Sequence, residues 1–336
     1  MKVPRSAPRT TVRHRTVEAN GIRLHIAEEG EGPLVLLLHG FPECWYSWRH
    51  QFGPFAAAGY RVVAPDQRGY GRSERPGAVE EYTVLDLVGD VVGLVHALGE
   101  SRAVVVGHDW GAPVAWHTAL MRPDVVRAVA GLSVPPTPRS DDTPPLRSMR
   151  ELYGGHFYWN YFERPGVADA EFAADPRATF RRFLYGACGD NPANDPAPAQ
   201  PLVPPGGGFL DIVEEPGELP DWFTDEDLDA FTAEYAESGF TGGLNWYRNL
   251  DRNWRLTAPW TGAALQVPAL YVTGDRDLVH GFPGMSELIP VLRQLHPTLR
   301  EPVVLPGCGH WTQQERPAEV NAVLLDFLRE AAPPTG

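Results

Sequence analysis

Lysine is almost missing from this chain. Lys2 is the sole lysine, and the 29 basic residues are otherwise arginine. They face 43 acidic residues, giving a formal net charge of -14. A surface that binds nucleic acid or an anionic membrane needs a cationic excess, so both are excluded as partners. Cysteine is scarce: Cys44, Cys188 and Cys308 are odd in number and widely spaced. They suggest neither a disulfide framework nor a zinc site, and they fit a reducing cytoplasm. No apolar run is long enough to span a bilayer. The basic N-terminus (Lys2, Arg5, Arg9, Arg13, Arg15) has no apolar run behind it. Residues 1–15 therefore read as a solvated arm, not a targeting signal. What remains is a globular composition: 336 residues, 43% hydrophobic and 21% charged. That suffices for one large domain or a core with an insertion.

Strand-like and helix-like segments alternate through the first part of the chain. Thr16–Ala19 and Ile22–Glu28 flank Asn20-Gly21, a hairpin turn. Leu34–Leu38, Arg61–Ala64, Ala103–Val106 and Ala128–Leu132 are short apolar runs of the kind buried on both sheet faces. Ser47–Phe55 is expected to form a short helix. Thr83 starts an amphipathic one, with Asp86 completing a capping box and Gly99 past its end. From Pro135 the pattern changes to helical pieces, such as Thr179–Tyr185 and Thr224–Ser238, with an irregular Pro- and Gly-rich connection over 192–208. Strands resume at Ala269–Thr273 and Pro302–Leu305, before a closing helix from Pro317 to Ala331. The expected architecture is an α/β core with a mostly parallel sheet, covering 16–134 and 263–336, interrupted by an α-helical cap over 135–262.

The chemistry centres on VVVGHDWGA at 104–112. Gly107, Gly111 and Ala112 are small enough for a strand to turn abruptly into a helix, which pushes Asp109 out at the tip. This is the nucleophile-elbow pattern with Asp in the place of Ser. Asp277 follows the strand ending at Thr273, and His310 follows the last strand. Both lie beyond strand carboxyl ends, where open parallel sheets place their sites. The order Asp109, Asp277, His310 is the α/β-hydrolase order. Aspartate is ionised at neutral pH and attacks without a base. His310 is then free to deprotonate a water that attacks the resulting ester, with Asp277 orienting the ring. The backbone N–H groups of Phe41, in HGFP, and Trp110 are placed to form an oxyanion hole. Trp45, Trp246, His108 and Pro42 are candidates for the pocket wall, while His39 and Arg68 read as structural.

Six stretches, HGFPECWYSW (39–48), DQRGYGRS (66–73), GHDWGA (107–112), YFERPGVADAEF (161–172), GFTGGLNWYRNLDRNW (239–254) and GCGHWTQQERPAEVN (307–321), resemble the soluble epoxide hydrolases of the α/β-hydrolase superfamily. The resemblance covers nearly all of the chain beyond residue 15. The phosphatase-like N-terminal domain of some vertebrate members has no match here. The resemblance implies conversion of small hydrophobic epoxides and water to vicinal diols, with no cofactor and no metal. It also implies that two cap tyrosines, Tyr158 and Tyr247, hydrogen-bond the epoxide oxygen. Tyr161 is the confusable neighbour, and the offset to Pro165-Gly166 favours Tyr158. A haloalkane or haloacid dehalogenase with the same acid–base set, and a ligand-binding pseudoenzyme on this fold, stay open as alternatives. The natural epoxide, the enantiopreference, a homodimeric state, and a role in detoxification, catabolism or biosynthesis are also left open.

Overall fold

The computed structural model describes residues 12–140, 142–195 and 198–334. Eight strands form one sheet: β1 Arg13–Ala19, β2 Ile22–Glu29, β3 Leu34–Leu38, β4 Arg61–Pro65, β5 Ala103–His108, β6 Val126–Leu132, β7 Ala269–Gly274 and β8 Val303–Leu305. Their spatial order is β1-β2-β4-β3-β5-β6-β7-β8. The β1–β2 and β2–β4 pairs are antiparallel, and all other pairs are parallel. The central strands alternate sides. Leu34, Leu36 and Leu38 enter one hydrophobic cluster, while Val35 and Leu37 enter the other. Continuous apolar runs are therefore what two covered faces require.

Two sequence expectations shift. Strand β1 begins at Arg13, not Thr16, because Arg13–Arg15 continue the ladder to β2 and Arg15 pairs with Glu28 at 2.8 Å. Residues 13–15 are thus strand, and 1–11 lie outside the described residues. Ser47–Phe55 is not one helix. A 3-10 turn spans Trp45–Trp48, and helix α1 spans Phe52–Ala57. A helix running from Ser47 would need an N–H from Pro54, which has none.

Helix α2 (Val84–Ala97) starts at the Thr83–Asp86 capping box. Helix α3 (Gly111–Met121) follows β5 directly. Between β6 and β7 the chain forms α4 (Pro145–Tyr153), α5 (Tyr158–Phe162), α6 (Val167–Ala174), α7 (Pro176–Gly186), α8 (Asp225–Ser238), α9 (Thr241–Arg248) and α10 (Leu250–Leu256). Short helices α11 (Met285–Leu288), α12 (Leu292–Leu295) and α13 (Thr312–Glu315) precede the closing α14 (Pro317–Ala331). The inserted helices form the cap. It is fastened to the core by Tyr235 Oη donating to the Glu43 carbonyl (2.9 Å), Trp246 Nε1 donating to the Arg68 carbonyl (3.1 Å) and Arg49 pairing with Asp227 (2.8 Å). Among the described residues, no helix is long and apolar enough to cross a membrane.

Candidate active site

Asp109 sits where β5 ends and α3 begins, with φ at 48°. Non-glycine residues rarely adopt that conformation, so close packing must hold it there. It does. A Cβ on Gly107 would meet the Gly111 carbonyl oxygen at 2.0 Å, one on Gly111 would meet the Leu38 carbonyl oxygen at 2.1 Å, and one on Gly40 would meet Asp109 Oδ1 at 2.2 Å. The elbow closes only because these three positions carry no side chain.

The Phe41 N–H donates to Asp109 Oδ1 at 2.7 Å. Asp109 Oδ2 lies 3.3 Å from His310 Nε2. On the ring's other side, Nδ1 donates to Asp277 Oδ1 at 2.9 Å. The Val279 N–H donates to the same Asp277 oxygen at 3.0 Å. Asp277 is fully buried. Burial alone would push its carboxyl up, but His310 beside it prevails and holds it below the ordinary value. Burial likewise opposes a charged His310. Asp277 and then Asp109 outweigh it and hold the imidazolium well above its ordinary range. The Trp110 N–H lies at the start of α3, where helix donors have no intrahelical acceptor.

The His310 backbone is held as firmly as its ring. Its carbonyl accepts from Ser133 Oγ at 2.6 Å and from His108 Nε2 at 2.7 Å. His108 Nδ1 in turn donates to Glu43 Oε2 at 2.6 Å. Both ring nitrogens of His108 thus face acceptors, and the ring is fully buried. Glu43 also accepts from the Gly40 N–H and from the Gln313 and Gln314 side chains. Burial pushes its carboxyl up, but His108, followed by the Gly40 N–H, prevails and brings it down to about 2. Glu43 and Ser133 escaped sequence reasoning. A carboxylate within the HGFPEC loop was the available signal for Glu43. Ser133 has none, since its contact spans 177 positions.

Asp109, Trp110 and His310 open onto a cavity of about 800 Å³ whose opposite wall carries Tyr158, Trp159, Phe162 and Tyr247. The rings of Tyr158 and Tyr247 are 6.0 Å apart. Burial first, with the charge of Asp109 contributing, raises the Tyr158 phenol well above its usual range. Burial also raises Tyr247, followed by the neighbouring Tyr158 and Asp109. Both remain O–H donors. Tyr161 is directed elsewhere, donating to Glu171 at 2.9 Å. His39 and Arg68 are structural: His39 Nδ1 donates to the Gly40 carbonyl, and Arg68 pairs with Asp90 at 2.6 Å.

Four expected wall residues do not line the cavity. Trp45 donates instead to Glu234 at 3.2 Å, joining core to cap. Trp246 is fully buried behind Trp110, its indole N–H bound to the Arg68 carbonyl. His108 lies beneath the elbow in its bonds to Glu43 and His310. Pro42, joined to Phe41 by a cis peptide bond, is buried. Pro42, His108 and Trp246 adjoin candidate site residues in sequence, and Trp45 lies three positions beyond Pro42, but the scaffold takes up the polar or apolar surface of each. Phe183, Phe209 and Phe282, with segment 198–201, take those places.

A carboxylate at a strand–helix elbow, a histidine held by a second carboxylate, and a parallel sheet beneath them define an α/β-hydrolase with an aspartate at the nucleophile position. Residues 33–184 match the alpha/beta hydrolase fold family. Over 318 residues the chain is 48% identical to epoxide hydrolase A of Mycobacterium tuberculosis, spanning 94% of this chain and 96% of that one. It is 44% identical over 322 residues to epoxide hydrolase 1 of Siraitia grosvenorii, spanning 95% and 99%. A crystal structure of an epoxide hydrolase from Vigna radiata superposes with a TM-score of 0.90 at 40% identity, covering 97% of this chain and 100% of that one. Epoxide hydrolase A from Mycobacterium thermoresistibile superposes with a TM-score of 0.86 at 50% identity, covering 95% and 98%. The chain belongs to the epoxide hydrolase family of the α/β-hydrolase superfamily.

Proposed function

We propose that this epoxide hydrolase converts epoxides to vicinal diols through an ester on Asp109. The observation that carries the reading is the convergence of the Asp109–His310–Asp277 chain and two cap phenols on one cavity. Asp109 Oδ1 is engaged by the Phe41 N–H, which leaves Oδ2 to attack a ring carbon. As the ring C–O bond breaks, the Tyr158 and Tyr247 hydroxyls hydrogen-bond the developing alkoxide, and one of them passes its proton to it. The product of this step is a neutral ester. His310 thereby loses one of the two anions that favour its charged form; its proton restores the phenol, and the neutral ring becomes able to accept another. It deprotonates a water that attacks the ester carbonyl carbon. The negative charge moves to Oδ1, where the Phe41 and Trp110 N–H groups stabilise it. Collapse expels the diol oxygen, which takes the proton from His310 and leaves Asp109 as the acid; the acid proton then passes to the adjacent His310, which restores the carboxylate and the imidazolium. No step calls on a cofactor or metal. The three cysteines are free and buried, and we assign the protein to the cytoplasm on their account.

A single turnover of excess enzyme with styrene oxide in ¹⁸O-water tests this directly. The expected result is an unlabelled diol and label in the peptide carrying Asp109, because the water oxygen enters the carboxylate. Label in the diol with none in Asp109 would overturn the ester route. Halide release from haloalkanes without diol formation would favour a dehalogenase.

A further inference from the structure

Three backbone N–H groups converge on the buried carboxylate of Glu315. Its Oε2 accepts from Gly309 at 2.8 Å and from Gly189 at 2.9 Å, and its Oε1 accepts from Trp311 at 2.9 Å. Gly309 and Trp311 flank His310, while Gly189 belongs to the cap. The same two segments meet again where the His310 N–H donates to the Ala187 carbonyl at 2.9 Å and the Trp311 indole to the Leu184 carbonyl at 2.8 Å. Their approach leaves no room for side chains. A Cβ on Gly309 would meet the Gly189 nitrogen at 2.3 Å, and one on Gly189 would meet the Gly307 carbonyl oxygen at 2.3 Å.

Among the described residues no cation forms an ion pair with Glu315, which is 5% exposed. Burial pushes its carboxyl up to about 6 in spite of the three N–H bonds. The three N–H bonds, and after them the neighbouring Arg316 charge, favour the ionised carboxylate against that burial.

We propose that Glu315 is a positioning residue for His310, fastening the loop of the base to the cap so that the ring meets the ester and its attacking water at the right angle. This rests on the reading of Asp109 and His310 given above. Glu315 touches neither substrate nor reacting atoms. It acts through the peptide groups on both sides of His310, so its influence falls on the step that uses His310 as a base. Ring opening, carried by Asp109 and the cap phenols, is left nearly untouched.

Glu315→Gln keeps the shape but replaces one acceptor with an N–H₂ group. Either orientation of the amide sets a donor against a donor, so at least one backbone bond is lost. Rapid-quench mass spectrometry of the Asp109 peptide with styrene oxide separates ester formation from ester hydrolysis. In Glu315→Gln, ester formation is expected within about threefold of the unmodified enzyme, while hydrolysis falls by about tenfold or more. The ester then becomes the dominant species in steady state. Glu315→Asp, which retains the charge on a shorter arm, is expected to recover part of the hydrolysis rate. Equal slowing of both steps, or no change in either, would overturn the proposal. If Glu315→Gln does not fold, Glu315→Asp carries the same test: selective slowing of hydrolysis supports the assignment and proportional slowing refutes it. The unmodified enzyme serves as control. Absence of any ester there would refute the Asp109 reading itself, a failure separable from that of Glu315.

Discussion

The two walls of the cavity are built in different ways. On the core wall, backbone geometry holds the groups proposed to react: Asp109 at a positive φ, the Phe41 N–H on its carboxylate, and His310 bonded through both its peptide groups. On the cap wall, ring packing holds the phenols. Tyr247 lies 5.1 Å from Trp110 and 5.0 Å from Phe162, and Tyr158 lies 4.9 Å from Phe157. Backbone positioning tolerates almost no movement, which suits the covalent roles proposed for these groups. Packing confines a ring yet leaves its hydroxyl free for whichever oxygen arrives.

That contrast can be broken or sharpened by substitution. Asp109→Ala removes the proposed nucleophile and should lower turnover by about 10⁴ or more, measured as diol formation. Residual turnover near the unmodified level would mean that the core wall does not carry the covalent step. His310→Gln should still become alkylated, while diol release falls by about 10³. Rapid diol release from that variant would contradict the proposed base. Tyr158→Phe and Tyr247→Phe should each slow ring opening by about 10², with Tm shifting by no more than about 2 °C. Unchanged ring opening in both would reduce the phenols to packing residues and remove the cap wall from the chemistry.

Smaller effects test the support of the core wall. Glu43→Gln breaks a buried pair and should cost about 3 kcal/mol of stability by denaturant unfolding. The folded carboxyl titrates at about 2 against an ordinary 4.5. Its stabilisation is therefore present above pH 4.5 and is lost as pH falls from there towards 2. A stability gap between the two proteins that stays constant down to pH 2 would refute this account. Trp45→Phe is the mildest change. It should leave KM within about twofold and cost about 1 kcal/mol, the net worth of its hydrogen bond to Glu234.

The same contrast explains what could be read from the sequence. The elbow strand, the Thr83 and Thr224 caps and the strands ending before Asp277 and His310 are local patterns, and they appear where expected. Backbone chemistry is written in neighbouring residues. Cap packing is not. Phe183, Phe209 and Phe282 reach the cavity from three separate segments, and no spacing links them. Trp45 and Trp246 sit beside telling motifs, yet Glu234 and the Arg68 carbonyl claim their indoles. Tyr158 could be separated from Tyr161 only by its offset in a motif, and the Tyr161–Glu171 bond gives the physical reason that offset matters.

The ties between cap and core also govern how the molecule comes apart. Helix α8 holds the loop after β3 through Tyr235, α9 holds the loop after β4 through Trp246, and α7 holds the His310 loop through the Trp311 indole. A cap swinging away as a rigid lid would tear the loop that carries His310 off its support. On heating, the two parts should melt as one cooperative unit, giving a single calorimetric transition in which the inserted helices and the sheet are lost together.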